Sequence, residues 1–132
     1  FDVILLIQPT SPLRKSTNII KDLKKLIDLN LDSVWSISKV NLKFHPLKQL
    51  KYNSKIDRLS LFDIKGKKII ARQQLENTFY RNGIFYAISR KCILEQKTIL
   101  GKKSSGIIIH GNHISIDTIS DLEKVKKQIA NK

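Results

Sequence analysis

Gln8-Pro9-Thr10-Ser11-Pro12-Leu13-Arg14 follows directly on the apolar run Val3-Ile4-Leu5-Leu6-Ile7. Its side chains bring an amide, two hydroxyls and a guanidinium, a set suited to gripping a polar, anionic small molecule. The apolar run reads as a strand buried on both faces, as in a parallel sheet. Open α/β sheets take their ligands where the chain leaves the carboxyl end of such a strand. Two prolines around a Thr-Ser pair also describe an ordinary turn. Taken alone, the segment leaves both readings open.

Other stretches carry groups with chemical use. In His45-Pro46-Leu47-Lys48 a proline turn fixes a lysine, a point charge for a phosphate or carboxylate, although a turn with an exposed lysine describes it as well. Arg72, in Arg72-Gln73-Gln74-Leu75, offers a planar fork that matches a carboxylate. Gly83, ahead of Ile84-Phe85-Tyr86-Ala87-Ile88, permits a positive φ or a close approach to the backbone. Phe85 and Tyr86 suit core packing and ligand packing equally. His110 and His113 have ligand-like spacing but flank Gly111-Asn112, a hairpin signal, and no metal is expected there. Cys92 is the single cysteine, so no disulfide or thiolate metal site can form within one chain, and buried filler is its expected role.

The string Gln-Pro-Thr-Ser-Pro-Leu-Arg behind a hydrophobic strand resembles the signature of the acylneuraminate cytidylyltransferases, or CMP-sialic acid synthetases. Later segments are similar to that family's, in the same order. A histidine-proline pair is followed closely by Lys48; Arg72-Gln73 precedes Tyr80, Asn82 and Gly83; and Ile114-Ser115-Ile116-Asp117-Thr118 matches the end of the last active-site strand. The resemblance covers about residues 2–130. It implies transfer of CMP from CTP to a nonulosonic, sialic-type acid with release of pyrophosphate. It implies that Gln8, Arg72, Tyr80 and Asn82 orient the acidic nine-carbon sugar and that Lys48 supplies positive charge nearby. No residue is assigned a catalytic role by it. The family holds Mg²⁺ with two aspartates one residue apart, which on a strand face the same way. Here Asp117 keeps the second position and Ser115 stands at the first. Either Asp117 and substrate phosphates hold the Mg²⁺, an ion that usually keeps several waters, or the site is weakened. The resemblance further implies a homodimer, with residues of about 41–77 as a dimerisation excursion that places Lys48 and Arg72 in the partner's site. The family's glycine-rich loop that clasps the CTP triphosphate would lie upstream of Phe1. The chain, which opens on Phe1 without a methionine, is therefore expected to be the C-terminal portion of an N-terminally truncated domain.

Composition narrows the alternatives. The chain has 132 residues, 25 basic against 11 acidic, for a net charge of +14. That length allows one domain with a modest core. The charge fits nucleic acid, an anionic membrane surface or anionic small substrates. The lysines are scattered, with no interleaved aromatic stripe for base stacking, which disfavours a nucleic-acid partner. No stretch is long enough to span a membrane, and a cytoplasmic protein is expected.

The elements that must position these groups follow from periodicity. After the first strand, Ser16 or Thr17 can cap a helix to about Asn30, with Ile19, Ile20, Leu23, Leu26 and Ile27 as its apolar face. Ser33-Val34-Trp35-Ser36-Ile37-Ser38 then alternates as a strand. Strand, helix, strand is a crossover unit. Leu59-Ser60-Leu61-Phe62 and Lys68-Ile69-Ile70 suggest a hairpin turning at Gly66. A strand over residues 83–88 and a short helix capped by Ser89 come next. Residues 106–110 and 113–116 read as two strands around Gly111-Asn112. A final helix starts near Ser120, with Ser120 and Glu123 as a capping box and Leu122, Val125 and Ile129 as its stripe. The expected fold is α/β, a mostly parallel sheet with flanking helices of the nucleotide-diphospho-sugar transferase type, residues 1–132 forming a single domain with the antiparallel excursion inserted. Two other functions stay open: a non-catalytic remnant that binds sugar or a partner, and a basic nucleic-acid-binding module.

Overall fold

The computed structural model describes residues 1–111 and 113–130. In chain order the regular elements are β1 (Val3–Ile7), α1 (Ser16–Asp28), β2 (Ser33–Lys39), β3 (Leu50–Asn53), β4 (Arg58–Leu61), β5 (Phe79–Ser89), α2 (Arg90–Gln96), β6 (Ser104–Ile108) and α3 (Ile119–Ala130). Short 3₁₀ segments at Leu42–Phe44, Pro46–Lys48, Ile64–Lys68 and Arg72–Gln74 fill the middle. The chain divides into two compact units, Phe1–Ser38 with Arg81–Lys132, and Lys39–Tyr80.

The first unit is built on a sheet of order β1-β5-β2-β6. β5 runs antiparallel to β1, with Val3 opposite Ser89 and Ile7 opposite Phe85. Backbone bonds from Ser89 N to Asp32 O (2.8 Å) and from Val40 N to Thr78 O (2.9 Å) bracket β2 and β5 and show that they too run in opposite directions. β2 and β6 are parallel. The mostly parallel sheet read from the sequence is therefore corrected to a mixed, largely antiparallel one. The strand-helix-strand spacing did identify two strands of common direction, β1 and β2. It carried no information on adjacency, and β5 occupies the place between them.

The core lies between α1 and the sheet. Leu26, Leu31, Val34 and Ala87 form one buried cluster, with Val3, Leu5, Leu23 and Ile107 packed against it. Ile84, Phe85 and Ile109 form a second. On the other face, Tyr86, Ile88 and Cys92 pack with Trp35, whose ring meets Tyr86 edge-on at 4.7 Å. β1 packs against the core through Val3 and Leu5 only, since Ile4 and Leu6 on its other face are exposed. Its other long edge has no partner among the described strands. On α1 the inward stripe is Ile19, Leu23 and Leu26, while Ile20 and Ile27 are exposed and Asp22 is fully buried.

Helix starts differ from expectation in instructive ways. α1 begins after Lys15, with no side-chain cap bond, so neither Ser16 nor Thr17 caps it. Ser89 does cap α2, its hydroxyl accepting from Cys92 N at 3.1 Å. α3 starts at a reciprocal box between Thr118 and Asp121 rather than Ser120 and Glu123. Thr118 Oγ1 accepts from Asp121 N (3.2 Å), and Asp121 Oδ2 accepts from Thr118 N (3.1 Å). The hydroxyl of Thr118 and the ammonium of Lys124 hold the Asp121 carboxyl below the usual range. Residues 113–117 form no strand, so the second arm of the expected terminal hairpin is absent among the described residues. Its turn residue Asn112 lies outside them.

The second unit carries the antiparallel pair β3–β4, with Leu50 opposite Leu61 and Asn53 opposite Arg58. The hairpin turns at residues 54–57, where Asp57 takes a φ of 48° and accepts from the Tyr52 hydroxyl at 2.9 Å. It does not turn at Gly66, which lies in a 3₁₀ segment against the Leu47 carbonyl, where a Cβ would collide. Gly66 marks close packing, and the expected hairpin was one strand too late. Much of this unit's apolar surface is uncovered, including Leu50, Tyr52, Leu59, Phe62 and Ile64.

Candidate functional site

The segment leaving β1 is a locked turn. The Gln8 carbonyl accepts from Ser11 N (3.2 Å) and from an Arg14 guanidinium nitrogen, and Ser11 is buried. Arg14 therefore shapes the turn through Gln8. Fixing the Gln8 backbone leaves its side chain to be placed by β5. There Gly83 adopts a φ of +72°, and the Gln8 amide oxygen lies so close that a Cβ on residue 83 would overlap it. Glycine is required twice at this position, for the left-handed backbone and for the seat it provides.

Asn82 is held just before that bend. Its Nδ2 donates to Ser38 Oγ (3.0 Å), and its Oδ1 accepts from Ser36 Oγ (2.6 Å) and Ile84 N (3.2 Å). Ser36 Oγ in turn accepts from Phe85 N at 3.1 Å. Buried hydroxyls need such partners, and Ser36 and Ser38 find theirs across the β2–β5 boundary. The Asn82 amide retains one uncommitted N–H. Phe85 and Tyr86, which suited either core or ligand, are core residues with 0% and 5% exposure.

Residues 113–117 join this end of the sheet through one backbone bond, from Ile116 N to Thr10 O (2.8 Å). That bond ties Asp117 to the turn after β1. Ser115 Oγ lies 3.5 Å from Asp117 Oδ1, so the two side chains share a side although residues 113–117 form no strand. No group of three or more His, Cys, Asp or Glu able to hold a metal occurs among the described residues. An exposed carboxylate beside a hydroxyl suits a hard cation such as Mg²⁺, which binds through one or two carboxylates and retains waters. Ser115 and Asp117 fit that ion as a partial donor set with a single negative charge.

Lys48 and Arg72 belong to the second unit, where both are exposed and line one recess of about 380 Å³ with Asn41 and Lys43. Each sits on a stiff turn. His45 Nδ1 accepts from Leu47 N (3.1 Å) ahead of Lys48, and Gln74 Oε1 accepts from Ile70 N (2.7 Å) and Ala71 N (2.9 Å) around Arg72. His45, buried and capping, is structural. Tyr80 is exposed near the start of β5 and does not line that recess. The structure thus brings Gln8 to Asn82-Gly83 and Thr10 to the Asp117 segment in one unit, and Lys48 to Arg72 in the other.

Sequence reasoning missed Ser36, Ser38 and Lys43. The two serines left a trace: hydroxyls at alternate positions of a strand, on the face that carries the core residue Val34. Such groups must be bonded to something near by. Cys92 is buried as expected, its thiol donating to Thr98 O at 3.1 Å and pushed up by burial and by Asp32.

No protein-family model and no curated protein matches the chain. Among solved structures, the chain is similar to CMP:2-keto-3-deoxy-manno-octonic acid synthetase complexed with CTP, at a TM-score of 0.62 and 15% identity. The match covers 98% of this chain and 62% of that one, so the chain spans under two thirds of the protein it overlays. The shared feature is the backbone: this chain has the α/β fold of that synthetase.

Proposed function

We propose that the chain belongs to a cytidylyltransferase that activates a sialic-type nonulosonic acid with CTP, giving the CMP-sugar and pyrophosphate. One observation carries the reading. Three segments that resemble the acylneuraminate cytidylyltransferases, at Gln8, Asn82-Gly83 and Asp117, gather at one end of the sheet in a fold shared with a CMP-sugar synthetase. The structural neighbour acts on an eight-carbon acid by its name, whereas the Gln8–Arg14 string favours the nine-carbon class.

In this reading the anomeric hydroxyl of the sugar attacks the α-phosphorus of CTP and pyrophosphate leaves in line. Catalysis of this kind rests on positioning and charge neutralisation. Gln8, fixed by Arg14 and seated on Gly83, presents its amide to the sugar. Asn82 holds the bend and offers its remaining N–H. Arg72 binds the sugar carboxylate and Lys48 adds positive charge, both in the partner subunit's site, and Tyr80 reads a hydroxyl or acylamino group. Asp117, with Ser115 beside it, would hold Mg²⁺, which when bound neutralises phosphate charge. A loop upstream of Phe1 would clasp the triphosphate. The exposed apolar residues of the second unit favour a homodimer, since a two-stranded hairpin is marginal by itself.

The test is Mg²⁺-dependent pyrophosphate release from CTP with a panel of nonulosonic acids and the eight-carbon keto-acid. It is run on this chain and on a form extended upstream to the length of the synthetase it overlays. Release with one nine-carbon acid, and not with the eight-carbon acid, supports the reading. A folded, dimeric extended form that releases nothing refutes it. Ser115 favours a second reading, a remnant that binds sugar without turnover; recovery of release by Ser115→Asp would identify that case.

A further inference from the structure

The cationic recess of the second unit has an apolar neighbour. This second recess, of about 280 Å³, is lined by Leu47, Leu61, Ile69 and Ile70 and shares Lys48 and Arg72 with the first. Apart from those two cations, its lining among the described residues is aliphatic or glycine. Its walls come from three pieces of chain: the turn Pro46–Lys48, β4, and residues 66–75. Close backbone packing holds these pieces together. Gly66 abuts the Leu47 carbonyl, and a Cβ on it would stand 3.5 Å from Leu61 Cδ2. Ile69 N donates to Gly66 O (3.1 Å), and Ile70 N donates to Gln74 Oε1 (2.7 Å). Ile70 is nonetheless 92% exposed, a large apolar side chain left at the rim.

We propose that this apolar recess selects the sugar: the acid whose carboxylate meets Arg72 lays a deoxygenated, methyl-ended arm there, not a hydroxylated one. The inference rests on the proposed activation of a nonulosonic acid and narrows that substrate to its deoxy members. Its physical ground is desolvation. A hydroxyl pressed against aliphatic walls gives up its bonds to water and finds no donor or acceptor in exchange. A methyl group gains by leaving water. Lys48 and Arg72, on the border of the two recesses, hold an anionic group beside the apolar surface. A ligand that satisfies both recesses is therefore charged at one end and apolar at the other. Pockets of this kind separate a methyl from a hydroxyl by about tenfold to a hundredfold.

The test is an NMR titration of the whole chain, labelled at isoleucine methyl groups, with two probes. One is a methyl-terminated deoxy nonulosonic acid; the other is N-acetylneuraminic acid, whose chain ends in hydroxyls. The deoxy acid should shift the Ile69 and Ile70 methyl signals saturably and bind about tenfold or more tighter than the hydroxylated acid. Ile70→Ser, at a residue too exposed for the change to unfold the chain, should narrow that preference, whereas Arg72→Gln should weaken both acids alike. Equal affinity for the two acids overturns the proposal, as does no saturation with either. So does a preference that Ile70→Ser leaves intact. Signals of Ile69 and Ile70 that follow protein concentration rather than acid assign the recess to a contact between copies and overturn it too. The reaction is judged separately. Pyrophosphate release with the hydroxylated acid as good as with the deoxy acid overturns the selection and leaves cytidylyl transfer standing. Saturable methyl shifts in a protein that releases none keep the recess and refute the transfer.

Discussion

Asp22 should make the protein less stable at neutral pH than at mildly acidic pH. Its side chain is fully buried on the inward face of α1, and neither carboxyl oxygen has a partner. Burial raises its pKa from 3.8 to about 7, with Lys25 pulling the other way. An acid whose folded pKa is raised binds its proton more tightly in the folded state. The stabilising contribution is complete below about pH 4 and is lost as pH rises toward about 7. A shift of about three units corresponds to at most about 4 kcal/mol, and solvent screening brings the expectation to about 2 kcal/mol. Asp22→Asn keeps the shape and removes the ionisation. In urea denaturation, the variant should match the parent near pH 3.5 and exceed it by about 2 kcal/mol at pH 8, the gap opening between those values. Comparison with the variant isolates Asp22 from Asp32 and Asp121, whose lowered pKa values act at more acidic pH and in the opposite direction. A gap that stays constant across the range refutes the reasoning, as does a variant less stable than the parent at pH 8. Either result would mean that the folded carboxylate is solvated or bonded after all.

Gly83→Ala should cost about 1–2 kcal/mol in thermal denaturation, from its left-handed backbone, and should also shift the Gln8 side-chain amide resonances, since the new methyl takes the Gln8 seat. Ser36→Ala, which strips the hydroxyl that Phe85 N and Asn82 use, should lose about 1–3 kcal/mol by urea denaturation. On the proposed homodimer, Leu59→Lys, on a residue 67% exposed, should leave the fold unchanged by circular dichroism and move the sedimentation coefficient from dimer to monomer. An unchanged coefficient would remove β4 from the subunit contact.

Parts of this architecture were legible in local chemistry, and the misses share a cause. β1, α1, β2 and α2 were readable because each depends on neighbouring residues: an apolar run, a 3.6-residue period, alternation, and Ser89 ahead of a helical turn. Sheet order was illegible because it depends on β5, a strand far along the chain whose direction no local pattern encodes. The second hairpin arm over residues 113–116 alternates like a strand, yet its backbone is spent on the turn after β1 through Ile116 and Thr10. Gly66 drew the eye as a turn residue when its reason was the Leu47 carbonyl. At the candidate site, the residue types were visible and the seating was not. Nothing in the sequence says that Gln8 rests on Gly83, or that Asn82 is anchored by two serines.

The central, reversed position of β5 also governs the time course of folding. Val3 can find its partner only after Ser89 has been made, and β2 waits for the same strand. Helices α1 and α2 can form from local contacts, whereas the sheet must close over long loops, the kind of contact that slows folding most. During synthesis β1 therefore leaves the ribosome as an apolar segment whose β5-facing edge is open. It stays exposed to association with other chains for as long as the whole second unit takes to emerge. Synthesis rate across residues 40–78, a region outside the four-stranded sheet, should thus bear on how much of the protein reaches its native state.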